Sequence, residues 1–337
     1  MSARRVCLLP GDGIGPEVIG AARRVLEALP VQFAWTEGEI GFGAYQRCGS
    51  PLPEATLEKV RAAEATLFGA VTTPPDIPGY FSPILRLRKT FDLYANLRPV
   101  RSIPNPISRQ GIDMVIVREN TEGLYSGIER VEEDGARAVT ERVITRRGSQ
   151  RIARAAFDLA RKRGASKVTV VHKANVLRQT CGLFRRTALE LAAEYPDLEV
   201  QELLVDTCAM ELIRAPEQFQ VIVTTNLFGD ILSDEASMLV GGLGLAASGN
   251  LGEGAAVFEP VHGSAPKLVG TGQANPLATL LSAAMMLDHL GEGQQAARLR
   301  AAVEQVIATG QVTPDLGGTL RTEEVVDAVI QVLEGVA

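Results

Sequence analysis

Short runs of consecutive apolar residues alternate with amphipathic stretches through the first two thirds of the chain. Val6–Leu9 reads as a buried strand, followed by a glycine-rich turn and a helix from Pro16 to about Leu29. Proline suits the first helical turn, where the N–H it lacks would have no partner anyway. Further strand-like runs fall at Ala65–Phe68, Met114–Arg118, Lys167–His172, Val200–Val205 and Val221–Thr224, and helical patterns at Ser149–Arg163, Leu183–Glu194 and Ile231–Val240. Such alternation predicts an α/β protein with largely parallel pairing. The last third changes character. After the glycine-rich stretch Gly241–Gly254, helices are expected near Pro276–Leu290, Gln294–Thr309 and Thr322–Leu333. The proline-rich stretch Thr73–Pro83 predicts a surface loop, readable as a mobile lid or as a rigid connector.

With 337 residues, 46% of them hydrophobic and 22% charged, the chain can bury a sizeable core in one large domain or two. Its formal charge is -6, from 40 acidic and 34 basic residues, with no basic stripe, so nucleic acid is not an expected partner. Any site for an anion has to be made locally positive by clustered arginines. The cysteines Cys7, Cys48, Cys181 and Cys208 are widely spaced, which suggests neither a disulfide framework nor a zinc site and fits a reducing cytoplasm. The apolar run after Arg4-Arg5 is too short for a signal-peptide core, and the longest one, Leu277–Leu287, falls well below the roughly 20 residues a bilayer requires. A soluble protein with no membrane partner is expected.

Gly11-Asp-Gly-Ile-Gly15-Pro-Glu17 lies between strand and helix, where a dinucleotide fingerprint would sit. The last glycine of that fingerprint falls on Pro16, and only Glu37 or Glu39 stands near the position of its acidic residue. A tight structural turn is the better reading.

Two other clusters carry chemistry. Asp230 and Asp234 are four apart, so on a helix both carboxylates project from one face and repel. Hard oxygen ligands without nearby His or Cys favour Mg²⁺ or Mn²⁺, and Asp206, at the end of the Val200–Val205 run, is a candidate third donor. An ordinary solvated face is the alternative, made less comfortable by the apolar flanking residues. Arginine forks match carboxylates, so Arg88, Arg98 and Arg118 together suit a di- or tricarboxylate. Surface ion pairing is the preferred reading for Arg86, Lys89 and Arg101 taken singly.

Taken together, the motifs are more specific than any one of them. Leu87-Arg-Lys, Asp92-Leu-Tyr-Ala-Asn-Leu-Arg98-Pro, Arg118-Glu-Asn-Thr-Glu-Gly-Leu-Tyr125, His172-Lys-Ala-Asn175, Asn226-Leu-Phe-Gly-Asp-Ile-Leu-Ser-Asp234 and Glu259-Pro-Val-His-Gly-Ser-Ala-Pro266 follow in that order. The chain resembles the isocitrate, isopropylmalate and homoisocitrate dehydrogenases, β-decarboxylating enzymes, along essentially its whole length. The resemblance implies a two-domain α/β subunit with a mixed central sheet, not a conventional Rossmann fold. Residues 1–96 plus 242–337 would form the cofactor-side domain. Residues 97–241 would form a central domain with the dimer contact, metal ligands and most catalytic groups. A homodimer or higher homo-oligomer with shared active sites is implied.

Carried over residue by residue, the resemblance gives Arg88, Arg98 and Arg118 to the substrate carboxylates. Asp206, Asp230 and Asp234 would hold Mg²⁺ or Mn²⁺, one carboxylate and Lys173 coming from the neighbouring subunit. Lys173 would help take the hydroxyl proton and Tyr125 would complete the protonation after CO₂ loss, so the catalytic set is Tyr125, Lys173 and Asp206. Glu259, His262, Gly263, Ser264, Ala265, Lys267 and Asn275 would serve the cofactor, with Thr72 and Asn175 near the nicotinamide. Lys267 stands where NAD users of the family typically have a carboxylate, which leaves NADP open. Pro314 and Gly318 match NAD users, and NAD is the expected cofactor. Ser82, Ile84, Leu85 and Arg86 precede Arg88, where the family meets the variable arm of its substrate. Homoisocitrate is the expected substrate, with isocitrate and 3-isopropylmalate as alternatives. A non-catalytic regulatory subunit is the rival class, but it would be expected to have lost part of this constellation.

Overall fold

The computed structural model describes residues 3–335 except positions 75 and 78. The chain forms two compact units: residues up to 93, 103–109 and from 240 onward make unit 1, and 94–102 with 110–239 make unit 2. In chain order, unit 1 contributes β1 (Arg4–Gly11), α1 (Gly15–Glu27), β2 (Phe33–Glu37), α2 (Phe42–Cys48), α3 (Glu54–Ala62), β3 (Ala65–Ala70) and α4 (Pro83–Thr90). Unit 2 follows with β4 (Ala95–Arg101), β5 (Asp113–Glu119), β6 (Glu129–Glu132), β7 (Arg137–Thr140), α5 (Arg146–Arg163), β8 (Lys167–His172), α6 (Thr180–Ala192), β9 (Glu199–Leu204), α7 (Val205–Arg214), β10 (Val221–Thr224) and α8 (Asn226–Met238). The chain then completes unit 1 with β11 (Ala247–Leu251), β12 (Ala256–Pro260), α9 (Leu277–His289), α10 (Gly293–Ala308) and α11 (Thr322–Glu334).

Within unit 1 the strand order is β2-β1-β3-β12-β11, parallel except for the antiparallel β11–β12 pair. The period-2 alternation of a strand divides its side chains between two cores. Val6 and Leu8 of β1, Leu67 of β3 and Phe258 of β12 join the core made with α1, α9, α10 and α11. Cys7, Leu9, Phe68 and Val257 face the other way, against Leu57, Val60 and Leu87 of α3 and α4. Burial on both faces is why these strands read as unbroken apolar runs.

Within unit 2 the order is β4-β5-β10-β8-β9, parallel except for β4–β5. Helix α5 packs on β5, β10 and β8, and α6 packs on α5. Thr145 caps α5, its hydroxyl accepting a bond from the Gly148 N–H at 2.9 Å, and Gly164 closes it in the left-handed region at φ 67°. A separate exposed ribbon pairs β6 with β7.

Strands β1, β3, β5, β8, β9 and β10 fall close to where the apolar pattern puts them, whereas β2 and β12, also paired in parallel, and the antiparallel β4 and β11 were not expected, and several boundaries differ. Val205 and Asp206 were expected to close a strand; β9 ends at Leu204 and both residues begin α7. Helix α8 starts at Asn226, not near Ile231, because its first turn packs on β5 and carries no apolar period of its own. Strand β4 contains Pro99, and β11 contains Gly249 and Asn250, all poor strand formers by propensity. Of the expected Thr73–Pro83 loop, Pro75 and Pro78 lie outside the described residues, and Pro83 is already the first residue of α4. Among the described residues no helix is long and apolar enough to cross a membrane.

Phe157 of α5 is fully buried, with its ring 4.9 Å from that of Tyr195. Replacing it with alanine is expected to cost about 3–5 kcal/mol. Urea unfolding should show a lower midpoint with an unchanged slope.

Candidate active site

In the antiparallel β4–β5 register Asn96 lies opposite Arg118. Alternation then puts Asn96, Arg98 and Arg118 on one face of the sheet. Helix α8 packs against β4, β5 and the short turn Leu124–Ser126 that carries Tyr125. The polar groups of this region therefore converge on α8.

Arg118 is 1% exposed, and a charge so buried is tolerable only when paired and hydrogen-bonded. Its Nε and Nη2 donate to Asn226 Oδ1 at 3.0 and 2.8 Å, and its Nη1 donates to Asp230 Oδ1 at 2.5 Å. Arg98 donates from Nε to Asn96 Oδ1 at 2.7 Å, and from Nη1 to Ser233 Oγ at 2.6 Å and Asp234 Oδ1 at 3.0 Å. Its Nη2 lies 3.3 Å from Asp230 Oδ1. The Tyr125 hydroxyl donates to the other Asp230 oxygen at 2.5 Å, and the Arg118 guanidinium sits 5.3 Å from the Tyr125 ring centroid. Asp230 is thus shared by two guanidinium groups and a phenol. Two arginines facing two aspartates leave the group near neutrality. Burial pushes the Asp234 carboxyl above its ordinary range; Arg98 opposes that shift and Asp230 adds to it. Gly229 is required here, because a Cβ on it would lie 2.7 Å from Cβ and Cγ of Arg118.

Lys173 follows β8 and donates from Nζ to Asp206 Oδ1, in the first turn of α7, at 2.6 Å. That bond holds the Asp206 carboxyl below its ordinary range. The three aspartates expected to share a metal therefore divide into two groups in a single chain, Asp230 with Asp234 and Asp206 with Lys173. Among the described residues no three acidic, His or Cys side chains are grouped as a metal site. Asn175 is exposed beyond Lys173.

In unit 1, the Gly11–Gly15 turn is a structural device. Gly11 and Gly13 have φ of 80° and 62°, and Cβ atoms there would meet the Ala70 and Ser264 carbonyl oxygens at 1.9 and 2.0 Å. The Ile14 N–H holds the Ser264 carbonyl at 3.0 Å, and Thr72 Oγ1 donates to Ser264 Oγ at 2.8 Å. Ala265 then takes φ 39°, unusual for a residue with a Cβ. His262 Nδ1 lies 3.0 Å from the Gly263 carbonyl, and its Nε2 is buried without a partner; burial holds the imidazole below its ordinary range. Asn275 donates to Asp315 at 2.9 Å, and Gly263 and Lys267 are exposed. Glu259, expected at the cofactor, accepts from Arg88 Nη2 at 2.9 Å and from Asn250 Nδ2 at 2.7 Å, while Arg88 Nε is buried and unpartnered. On α4, Ser82 precedes the first turn, Leu85 is half-buried and Arg86 is exposed with its guanidinium 5.9 Å from the Phe81 ring centroid.

Sequence reasoning assigned no role to Asn96, Ser233, Asn250 or Asp315, although Asn96 and Ser233 stand inside the ordered motifs given above. For Asn96 a usable signal existed: it stands two residues before Arg98 in a strand hidden by Pro99. Asn226 lay inside a quoted motif but had no assigned role.

Buried arginines, paired aspartates and a tyrosine thus form one compact charged cluster on α8, β4 and β5. A model of the isocitrate/isopropylmalate dehydrogenase family matches residues 5–329. The isocitrate/homoisocitrate dehydrogenase of Thermus thermophilus is 54% identical over 333 residues, covering 98% of this chain and 99% of its own. The 3-isopropylmalate dehydrogenase of Methanothermobacter thermautotrophicus is 49% identical over 336 residues, covering 99% of this chain and 100% of its own. A crystal structure of isocitrate dehydrogenase from Methylococcus capsulatus superposes with a TM-score of 0.95 at 46% identity, covering 98% of this chain and 99% of that one. The chain belongs to the isocitrate/isopropylmalate dehydrogenase family and is a decarboxylating hydroxy-acid dehydrogenase.

Alanine normally stabilises a helix relative to glycine. Gly229→Ala is expected to do the reverse, destabilising the protein by about 1–3 kcal/mol through its collision with Arg118. Urea unfolding against the wild type checks the sign.

Proposed function

We propose that the chain oxidises and decarboxylates homoisocitrate to 2-oxoadipate and CO₂, using NAD and a divalent metal, Mg²⁺ or Mn²⁺, as a homodimer with shared active sites. The observation that carries this reading is the Asp230 carboxylate, reached at once by Arg98, Arg118 and Tyr125. Two guanidinium groups, a carboxylate and a phenol hydroxyl meet there, the donor types that the proposed anion, cation and proton roles call for.

The donor chemistry fits a hard cation. Asp230 and Asp234 offer oxygen only, and burial works against the ionised form of Asp234, a cost that a nearby cation would offset. With a divalent cation and a substrate dicarboxylate both bound, the neutrality of the two Arg–Asp pairs is preserved. A metal held by Asp230 and Asp234, with Asp206 from a second copy of the chain, would polarise the substrate hydroxyl. Support for the second copy comes from exposed apolar side chains on α7 and α8. Met210 and Ile213 follow Asp206 at helical spacing, and Ile231 and Met238 flank Asp234 in the same way. Residues 97–241 would carry this contact and most catalytic groups, and residues 1–96 with 242–337 the cofactor side.

Arg98, Arg118 and Arg88 grip the substrate carboxylates. Lys173, positioned by Asp206, would take the hydroxyl proton as the neutral amine, and NAD, when bound, would supply the hydride acceptor. The 2-keto acid then loses its β-carboxylate as CO₂, and Tyr125 protonates the carbon left behind. An adenine dinucleotide is supported by the unpartnered His262 Nε2, an acceptor for an adenine amino group, and by the Thr72–Ser264 pair beside it; Asn275 would line the same pocket, Asn175 would lie near the nicotinamide, and Pro314 and Gly318 favour NAD. Lys267 favours some use of NADP. Ser82, Leu85 and Arg86 would meet the variable arm, Arg86 reaching its distal carboxylate. The name of the Thermus relative supports homoisocitrate or isocitrate. The half-buried apolar pair Ile84 and Leu85 favours a second reading, 3-isopropylmalate, the substrate in the name of the Methanothermobacter relative. Four free cysteines suit a reducing cytoplasm.

NADH formation from homoisocitrate, isocitrate, 3-isopropylmalate and malate, each with NAD or NADP and with Mn²⁺, Mg²⁺ or a chelator, tests the assignment. The highest kcat/KM should fall on homoisocitrate with NAD and vanish with chelator; a tenfold preference for another acid would replace the substrate. Tyr125→Phe should lower kcat by about 10²–10⁴-fold and leave KM nearly unchanged. An unaltered kcat would remove Tyr125 from the chemistry.

A further inference from the structure

The carboxyl ends of β1 and β2 open onto a cavity of about 400 Å³ that the reaction does not use. In open α/β sheets ligands bind outside the carboxyl ends of strands, and dinucleotide folds place an adenosine at this position. The local backbone here is unsuited to a phosphate. The N–H groups of Asp12, Ile14 and Gly15 are bonded to Ala70, Ser264 and Asp12 carbonyls, and Pro16 has none. The charged lining residues are Arg23, Arg47, Glu37 and Glu39, two of each sign. A balanced lining of this kind favours a ligand of zero net charge that carries both signs.

The charged groups differ in their availability. Arg47 is occupied by Glu39 at 3.1 Å. Arg23 gives only its Nε to Glu27, so among the described residues its two terminal nitrogens donate to no side chain, and the Glu37 carboxylate accepts no hydrogen bond. Between them lies an apolar wall of Ile19 and Ile40. Gly20 supplies an independent observation. It stands in the interior of α1, where glycine is a destabilising choice, and a Cβ on it would meet nothing within 4 Å. Gly15 and Gly229 are glycines because something presses on them; at Gly20 the fold makes no such demand. A side chain there would extend into the open space that Gly20 lines.

We propose that this cavity is a binding site for a free aliphatic α-amino acid. Its carboxylate would sit on the terminal nitrogens of Arg23, its ammonium on Glu37 and its side chain on Ile19 and Ile40, over Gly20. Trp35, the chain's single tryptophan, reports on the site because the Arg23 guanidinium lies 5.9 Å from its ring centroid.

The test is titration of the full-length protein with L-norleucine, followed by Trp35 emission and by calorimetry. Wild type should bind saturably, with Kd at or below about 1 mM. Gly20→Leu should fold with an undiminished Tm and weaken binding at least tenfold, and Glu37→Gln should weaken it similarly. N-acetyl-L-norleucine, which lacks the ammonium, should bind at least tenfold more weakly than norleucine. The proposal is overturned if wild type gives no saturable signal, if Gly20→Leu or Glu37→Gln binds as wild type does, or if the acetylated compound binds equally well. Adenosine monophosphate competing more tightly than norleucine would also overturn it, assigning the cavity to a nucleotide.

Discussion

A guanidinium buried as deeply as that of Arg118 has to be given its counter-charge by the fold, and the Asp230 carboxylate supplies it. Much of unit 2 follows from that requirement. Helix α8 has to begin early enough for Asn226 to meet two nitrogens of the same guanidinium, and Gly229 has to lack a side chain so that the helix can approach β5. Arg98, on the neighbouring strand, ties the next turn of α8 through Ser233 and Asp234. The same bonds that hold helix to sheet fix both arginines in orientation, and a rigid, preorganised charge array is what recognition of a polyanion needs.

The arrangement also explains how acidic and basic groups coexist in so small a space. Within one chain each aspartate of α8 neutralises an arginine. A divalent cation added alone, or a carboxylate substrate added alone, would upset that balance, whereas the two together preserve it. Binding of metal and substrate should therefore be mutually reinforcing, as linkage between sites of opposite charge demands.

What the sequence makes legible follows physical lines. Strands buried on both faces, β1, β5, β8 and β10, announce themselves as apolar runs, and the spacing of Asp230 and Asp234 is visible because helices repeat. Strand β4 was hidden by Pro99, and with it the side-by-side placement of Asn96 and Arg98. The start of α8 was obscure because Asn226 is held by, and Gly229 packs against, Arg118, a partner more than a hundred residues away in the sequence. Asp206 was expected at the end of a strand, but Val205 starts a helix, a case of tertiary context overriding β-propensity. Order and identity of motifs carried the family; the pairing of individual side chains did not follow from them.

One division in the site bears most directly on the account. Tyr125 and Asp230 stand together, Lys173 and Asp206 stand together, and a single chain does not group the three aspartates. Active sites shared between two copies of the chain would reconcile this with the proposed chemistry. Hybrid dimers of a Tyr125→Phe chain and a Lys173→Met chain, co-expressed with different tags and purified through both, measure it. If each site takes Tyr125 from one copy and Lys173 from the other, one of the two sites is intact and the hybrid should regain about half of the wild-type turnover. A hybrid as inactive as its parents would show that each chain works with its own Tyr125 and Lys173, and would contradict the account.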